Sequence, residues 1–138
     1  KGAIGEALVA GWAAAKGFDV TRSTNSDADR VINGHRIEIK LSSLWKSGGF
    51  KFQQIRDQDY DFALCLGISP FDAQAWLLPK IVLHEFVIGH MGQHTGSSGS
   101  DTSWIGFQAD QPYEWMKPFG GRLRDVAALL ESNGRGEH

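Results

Sequence analysis

Ser26-Asp27-Ala28-Asp29-Arg30-Val31-Ile32-Asn33-Gly34-His35-Arg36-Ile37-Glu38-Ile39-Lys40 is the stretch whose reading decides the fold. Asn-Gly between two short apolar runs is the strongest local signal for a tight β-hairpin, because both turn residues must take positive φ. The spacing predicts strands over residues 30–32 and 35–41. In the second strand Ile37, Ile39 and Leu41 point one way, and Arg36, Glu38, Lys40 and Ser42 the other. Pairing across the turn sets Ile32 against His35 and Val31 against Arg36, so a regular ladder carries Asp29 opposite Glu38. Opposed side chains on one face have Cβ atoms about 4.5–5.5 Å apart. Two carboxylates at that spacing repel unless they share a proton or hold a cation, and their oxygens suit Mg²⁺ or Mn²⁺. Lys40, on the same face as Glu38, is placed to orient a water and to stabilise negative charge developing on a phosphorus. Glu-x-Lys alone is common on solvated strands. A helical Glu, an Asp, a hairpin and Glu-x-Lys in that order is much rarer.

Upstream, residues 3–16 read as an Ala-rich helix ending at Gly17. Ile4, Leu8, Trp12 and Ala15 share one face, while Val9, Ala10, Ala13 and Ala14 cover the rest. A helix apolar nearly all round is expected to be buried on most sides. Glu6 is then either a first-turn acid facing water or a carboxylate met by a cation, a metal or a donor. Residues 18–20 read as a short strand or connector, and 23–27 as a polar loop.

Downstream, 47–49 read as a flexible loop and 50–58 as a helix or extended segment carrying Lys51, Gln53, Gln54 and Arg56. The apolar run 62–68 has the pattern of a central strand buried on both faces. A turn at 69–72 leads to a returning strand at 75–78, stopped by Pro79. A short helix at 81–87, a Gly/Ser/His-rich loop at 89–101, a strand at 103–107 and a terminal helix at 123–130 complete the order. This sequence of elements predicts an α/β or α+β fold, with helices packed on a sheet.

The chain has 138 residues, with 41% hydrophobic and 22% charged side chains, which suits one folded domain spanning 1–138 and excludes disordered and fibrous classes. Cys65 is its one cysteine, so no internal disulfide forms. No run of 18 apolar residues and no leader pattern is present, which suggests a cytoplasmic protein or a domain delivered to a target cytoplasm. The start at Lys1 suggests a domain excised from a longer protein. Fourteen basic and sixteen acidic side chains leave a net charge of −2, yet the excess is local. Between Arg30 and Arg56 six basic residues stand with one acid, Glu38. Among them Lys46, Lys51 and Arg56 follow the Glu-x-Lys strand together with Gln54, types suited to phosphates and base edges. Ser42, on the face of Lys40, either touches a phosphate or caps the next segment. The polar loop holding His94 is a candidate substrate contact. His84, His90 and His94 make a poor zinc set, because Gly89 and Gly92 break the helical spacing and no Cys pair exists.

Asp29, the strand Ile37-Glu38-Ile39-Lys40 and Glu6 in Gly2-Ala3-Ile4-Gly5-Glu6 together resemble the PD-(D/E)XK nuclease superfamily, of restriction-endonuclease-like fold. Ser42, Trp45, Phe52-Gln53-Gln54-Ile55-Arg56, Tyr60-Asp61 and Leu78-Pro79-Lys80 look like bacterial restriction enzymes of that fold, so the resemblance covers roughly residues 2–80. It implies a central mixed β-sheet flanked by helices. Asp29 and Glu38 would be acidic metal ligands, the Ile39 backbone carbonyl a further ligand, Lys40 the catalytic lysine, and Glu6 an acid that binds or orients the metal site. The cofactor would be Mg²⁺, with Mn²⁺ substituting. The superfamily's Pro-Asp is Ala28-Asp29 here, and Asp27 is a neighbouring acid that a bulge would let replace Asp29. The implied activity is restriction-type hydrolysis of phosphodiester bonds in double-stranded DNA, by a homodimer if both strands are cut together. A toxin-type nuclease acting on DNA or tRNA is the alternative, and a catalytically idle nucleic-acid-binding module the alternative of another class.

Overall fold

The Asn33-Gly34 turn closes as its sequence requires, with φ of 51° at Asn33 and 84° at Gly34. It joins β2 (Arg30–Ile32) to β3 (His35–Ser43), paired in the expected register, Ile32 with His35 and Val31 with Arg36. This computed structural model describes residues 2–24, 28–91, 94–95 and 101–134; Asp27 and the His94 side chain lie outside the described residues. The remaining elements are α1 (Gly2–Ala15), β1 (Val20–Arg22), β4 (Gly49–Ile55), β5 (Phe62–Ser69), β6 (Asp72–Pro79), α2 (Lys80–Phe86), β7 (His94–Thr95), β8 (Asp101–Gln108), a 3-10 helix (Glu114–Phe119) and α3 (Leu123–Gly134).

Five strands form the central sheet in the order β1-β2-β3-β5-β6. β3 and β5 run parallel and the other pairs antiparallel, so the sheet is mixed, as expected. β5 sits between β3 and β6, which explains its unbroken apolar run: both of its faces are covered. On one face Ile37, Ile39, Leu64, Leu66 and Leu77 pack with Val9 and Ala13 of α1 and Val126 and Leu130 of α3. On the other, Ala63, Cys65, Trp76 and Leu78 pack against Phe50, Phe52 and Ile55 of β4, Ile105 of β8 and Leu83 of α2. A second, three-stranded sheet in the order β4-β8-β7 thus lies over the central one. Glu38 and Lys40 project toward this second layer, on the face of their β5 partners Ala63 and Cys65.

The segment 50–58, read as helix or extended, is strand through Ile55, because Phe50, Phe52 and Ile55 must all reach one core. Three expectations change. Pro79 ends β6 but belongs to it, since a terminal strand position needs no proline N–H. The stretch 89–101 is not all loop: His94–Thr95 pairs with the start of β8. And α1 is buried on one stripe only, Gly5, Val9 and Ala13, leaving Ile4 61% and Leu8 46% exposed. A helix resting on one sheet face has cover on that side alone. Its C-terminus is closed by Gly17 N–H to the Ala14 carbonyl at 2.9 Å and Phe18 N–H to the Ala13 carbonyl at 3.1 Å. No described helix is long and apolar enough to cross a membrane.

Candidate active site

The regular ladder of the hairpin stops one residue before the acid. Arg30 still pairs with Ile37, but next the Asp29 N–H donates to the Ile37 carbonyl at 2.9 Å. The Asp29 carboxylate then takes the place of a strand partner: its Oδ2 accepts the Ile39 N–H at 2.7 Å. This bond fixes one carboxylate oxygen and seals the edge of β3 where β2 ends. Glu38 lies beside it, with a side-chain hydrogen bond to Asp29. Burial, the largest influence, pushes the Glu38 carboxyl above its ordinary range. Lys40 opposes that shift, and the charge and hydrogen bond of Asp29 reinforce it. Lys40 Nζ stands 3.1 Å from Glu38 Oε2, and each side chain is 17% exposed. The Asp, Glu and Lys singled out in the hairpin are therefore one cluster in space.

Glu6 takes a different position. Its Oε1 accepts from the Arg30 guanidinium, and the same Arg30 nitrogen donates to the Asp29 carbonyl at 3.0 Å. Arg30 alternates to the face of β2 on which α1 lies, so it meets Glu6 before any group at Glu38 can. Glu6 thus reaches Asp29 through an arginine. Among the described residues, no three His, Cys, Asp or Glu side chains gather closely enough to hold a metal ion. The set that fits a divalent cation is smaller: two adjacent carboxylates whose mutual repulsion a cation would relieve, with the Ile39 carbonyl on the residue between Glu38 and Lys40.

A cleft of about 340 Å³ opens beside the cluster, lined by Gly2 of α1, by residues 39–43 of β3, by Trp45, and by Lys51, Gln53 and Gln54 of β4. Lys51 carries its ammonium 4.4 Å from the Trp104 ring centre and 5.6 Å from that of Trp45, a cation held between two aromatic faces. Ser42 is 3% exposed and its hydroxyl is committed to backbone: it accepts from Lys51 N–H at 3.0 Å and donates to the Ser43 carbonyl at 2.9 Å. It fastens β4 to β3, the structural half of its two sequence readings. Lys46 is exposed on the turn before β4. Arg56 follows β4; its Nε is buried without a hydrogen-bond partner, while its carbonyl accepts from Tyr60 Oη at 2.6 Å.

Sequence reasoning missed the group below Glu38. Tyr60 is buried and close enough to feel Glu38; burial first, then that negative charge, pushes its hydroxyl well above the usual range. Lys80 lies over the Tyr60 ring at 4.4 Å and pairs with Asp57 at 3.2 Å, as does His84. Asp57 and Lys80 are joined only because β5 and β6 fold back between them, which no local spacing announces. The basic segment also changes character. Arg36 is held by Asp59 and Asp61, Arg30 by Glu6 and Lys40 by Glu38. Among the described residues, Lys46, Lys51 and Arg56 form no ion pair.

Neither a protein-family profile nor a curated protein matches the sequence. Among solved structures, the chain is similar to a bacterial homing endonuclease, I-Ssp6803I, at a TM-score of 0.62 and 18% identity, covering 99% of this chain and 92% of that one. At that identity the likeness is one of fold: the chain has the mixed α+β architecture of this endonuclease, a central sheet flanked by helices.

Proposed function

We propose that this chain is a metal-dependent endonuclease of PD-(D/E)XK type that hydrolyses phosphodiester bonds in double-stranded DNA, as restriction enzymes do. The observation that carries the reading is the Asp29–Glu38–Lys40 cluster at the end of the hairpin, in a fold shared with an endonuclease. Asp29 and Glu38, with the Ile39 carbonyl, would hold Mg²⁺ or Mn²⁺, which when bound polarises the scissile phosphate and lowers the pKa of a water. Asp29 is kept in place by the Ile39 amide. Lys40, restrained by Glu38, orients the attacking water and meets negative charge as it grows on the phosphate oxygens. Lys46, Lys51 and Arg56 are the cations left for the DNA backbone. Cutting both strands of a duplex at once takes two such centres, which a homodimer would supply.

The test is cleavage of duplex DNA, single-stranded DNA and tRNA side by side, with Mg²⁺ and with chelator. Metal-dependent cutting of the duplex is expected, and Lys40→Ala or Asp29→Ala should lower it by about 10²-fold or more. Unchanged cleavage by Lys40→Ala would sink the site. Cut tRNA beside intact DNA would overturn the substrate.

A further inference from the structure

We propose that Gln54 reads a base, an adenine in the major groove next to the cleaved bond, and that an irregularity in β4 exists to present it. The inference rests on the nuclease reading above and names what that site selects. β4 pairs Phe52 with Ile105 and Ile55 with Ser103, so Gln53 and Gln54 together stand against one residue, Trp104. A regular strand would turn Gln54 to the same side as Phe50 and Phe52, into the core. The extra residue allows Phe52 and Ile55, three apart, both to be buried, and leaves both glutamines exposed. It is obtained with Gln54 at φ 57°, a left-handed conformation that a side chain of this kind rarely adopts.

Such an outlier persists where the surrounding structure holds it, and it concentrates at binding and catalytic sites. Neither glutamine side chain forms a hydrogen bond with another described residue, so no such bond offsets the strain. Both amides instead line the cleft that holds Lys40 and Lys51. A carboxamide can donate to a phosphate, but it is uncharged and Lys40 and Lys51 already line the same cleft. It is a good ligand for a base edge, since one donor and one acceptor match adenine N6 and N7. The shared cleft with Lys40 places the read base pair beside the scissile phosphate.

The experiment uses a library of DNA duplexes with a randomised central segment, cleaved by the whole chain with Mg²⁺ and sequenced at the new ends. The wild-type chain is expected to enrich adenine at one position beside the cut. Gln54→Gly should flatten that position by about tenfold while others keep their pattern, and Gln54→Glu should move it toward cytosine, whose N4 donates to a carboxylate. Thermal unfolding of Gln54→Gly should occur at or above the wild-type temperature, because glycine takes this φ without strain. Unaltered preference in Gln54→Gly overturns the proposal, as does a wild-type chain that cuts without preference; in both cases the nuclease reading stands. Preference lost together with a fall in unfolding temperature also overturns it, showing a structural role. A wild-type chain that cuts no library member removes the nuclease reading and this inference together.

Discussion

Glu38 carries opposite demands from folding and from chemistry. A carboxyl held above its ordinary range is more protonated in the folded chain than in the unfolded one. Folding is therefore weakened as pH rises from the ordinary carboxylate range through the raised value. Glu38→Gln should unfold later at neutral pH, by about 0.5–2 kcal/mol, differ little from wild type near pH ~4, and lose metal-dependent cleavage. Denaturant titrations at the two pH values, beside the cleavage assay, check all three. Asp61 has the reverse sign. Burial pulls its carboxyl up, but hydrogen bonds from the Arg36 side chain and backbone, with the Arg36 charge, outweigh that and hold it low. Its contribution is present above the unfolded carboxylate range and is lost as acid passes the lowered value. Asp61→Asn is expected to cost about 1 kcal/mol at neutral pH, the modest size set by partial exposure, and the two chains should converge in stability in acid. A constant gap down to low pH would separate Asp61 from the acid response. The Asp29, Glu38 and Lys40 set was legible because all three stand within one hairpin, where alternation and turn geometry fix their faces.

At the scale of elements, local chemistry and packing divide the work. The hairpin was readable because Asn33-Gly34 can hardly form anything else, and β5 because both its faces needed apolar residues. The β4 irregularity was not: the order Phe-Lys-Phe-Gln-Gln-Ile in residues 50–55 does not say which glutamine is extra until β8 is beside it. Helix α1 was placed correctly, but its degree of burial was not, since an apolar helix has no means of reporting how many neighbours cover it. What draws it close to the sheet is Gly5, where a Cβ would stand 2.8 Å from the Leu41 Cβ. That neighbouring atom is bound directly to strand backbone and cannot swing away. Gly5→Ala is therefore expected to lift the start of α1, destabilise the chain by about 1–3 kcal/mol and loosen the Glu6–Arg30 pair. Reduced cleavage in a variant that still folds would show that this pair steadies Asp29, whose carbonyl Arg30 also holds. Stability equal to wild type would contradict the close approach.

Across the whole molecule, two core layers meet through the central sheet, and Cys65 marks the middle of one. It is fully buried, and burial pushes its thiol up to about 12, with Lys40 opposing. A thiol reagent is expected to label the folded chain at least about 10³-fold more slowly than the unfolded one, so its rate reports opening of the layer between the two sheets. Labelling at the unfolded rate would mean that β4 and α2 part from the sheet without global unfolding. The charge distribution shows the same division between chain and fold. Composition placed six basic residues near the Glu-x-Lys strand, but three of them are neutralised by acids, two of these by acids more than twenty residues away in sequence. The sequence alone determined the hairpin, its register, the central strand and the common face of Glu38 and Lys40, because these follow from turn chemistry and periodicity within a few residues. Only the tertiary structure decided that Glu6 meets Arg30, that Ser42 joins two strands, that Tyr60 approaches Glu38 and Lys80 meets Asp57, and that β4 turns both glutamines outward. Those outcomes depend on which surfaces come together at long range, where each side chain is claimed by the partner that packing brings nearest.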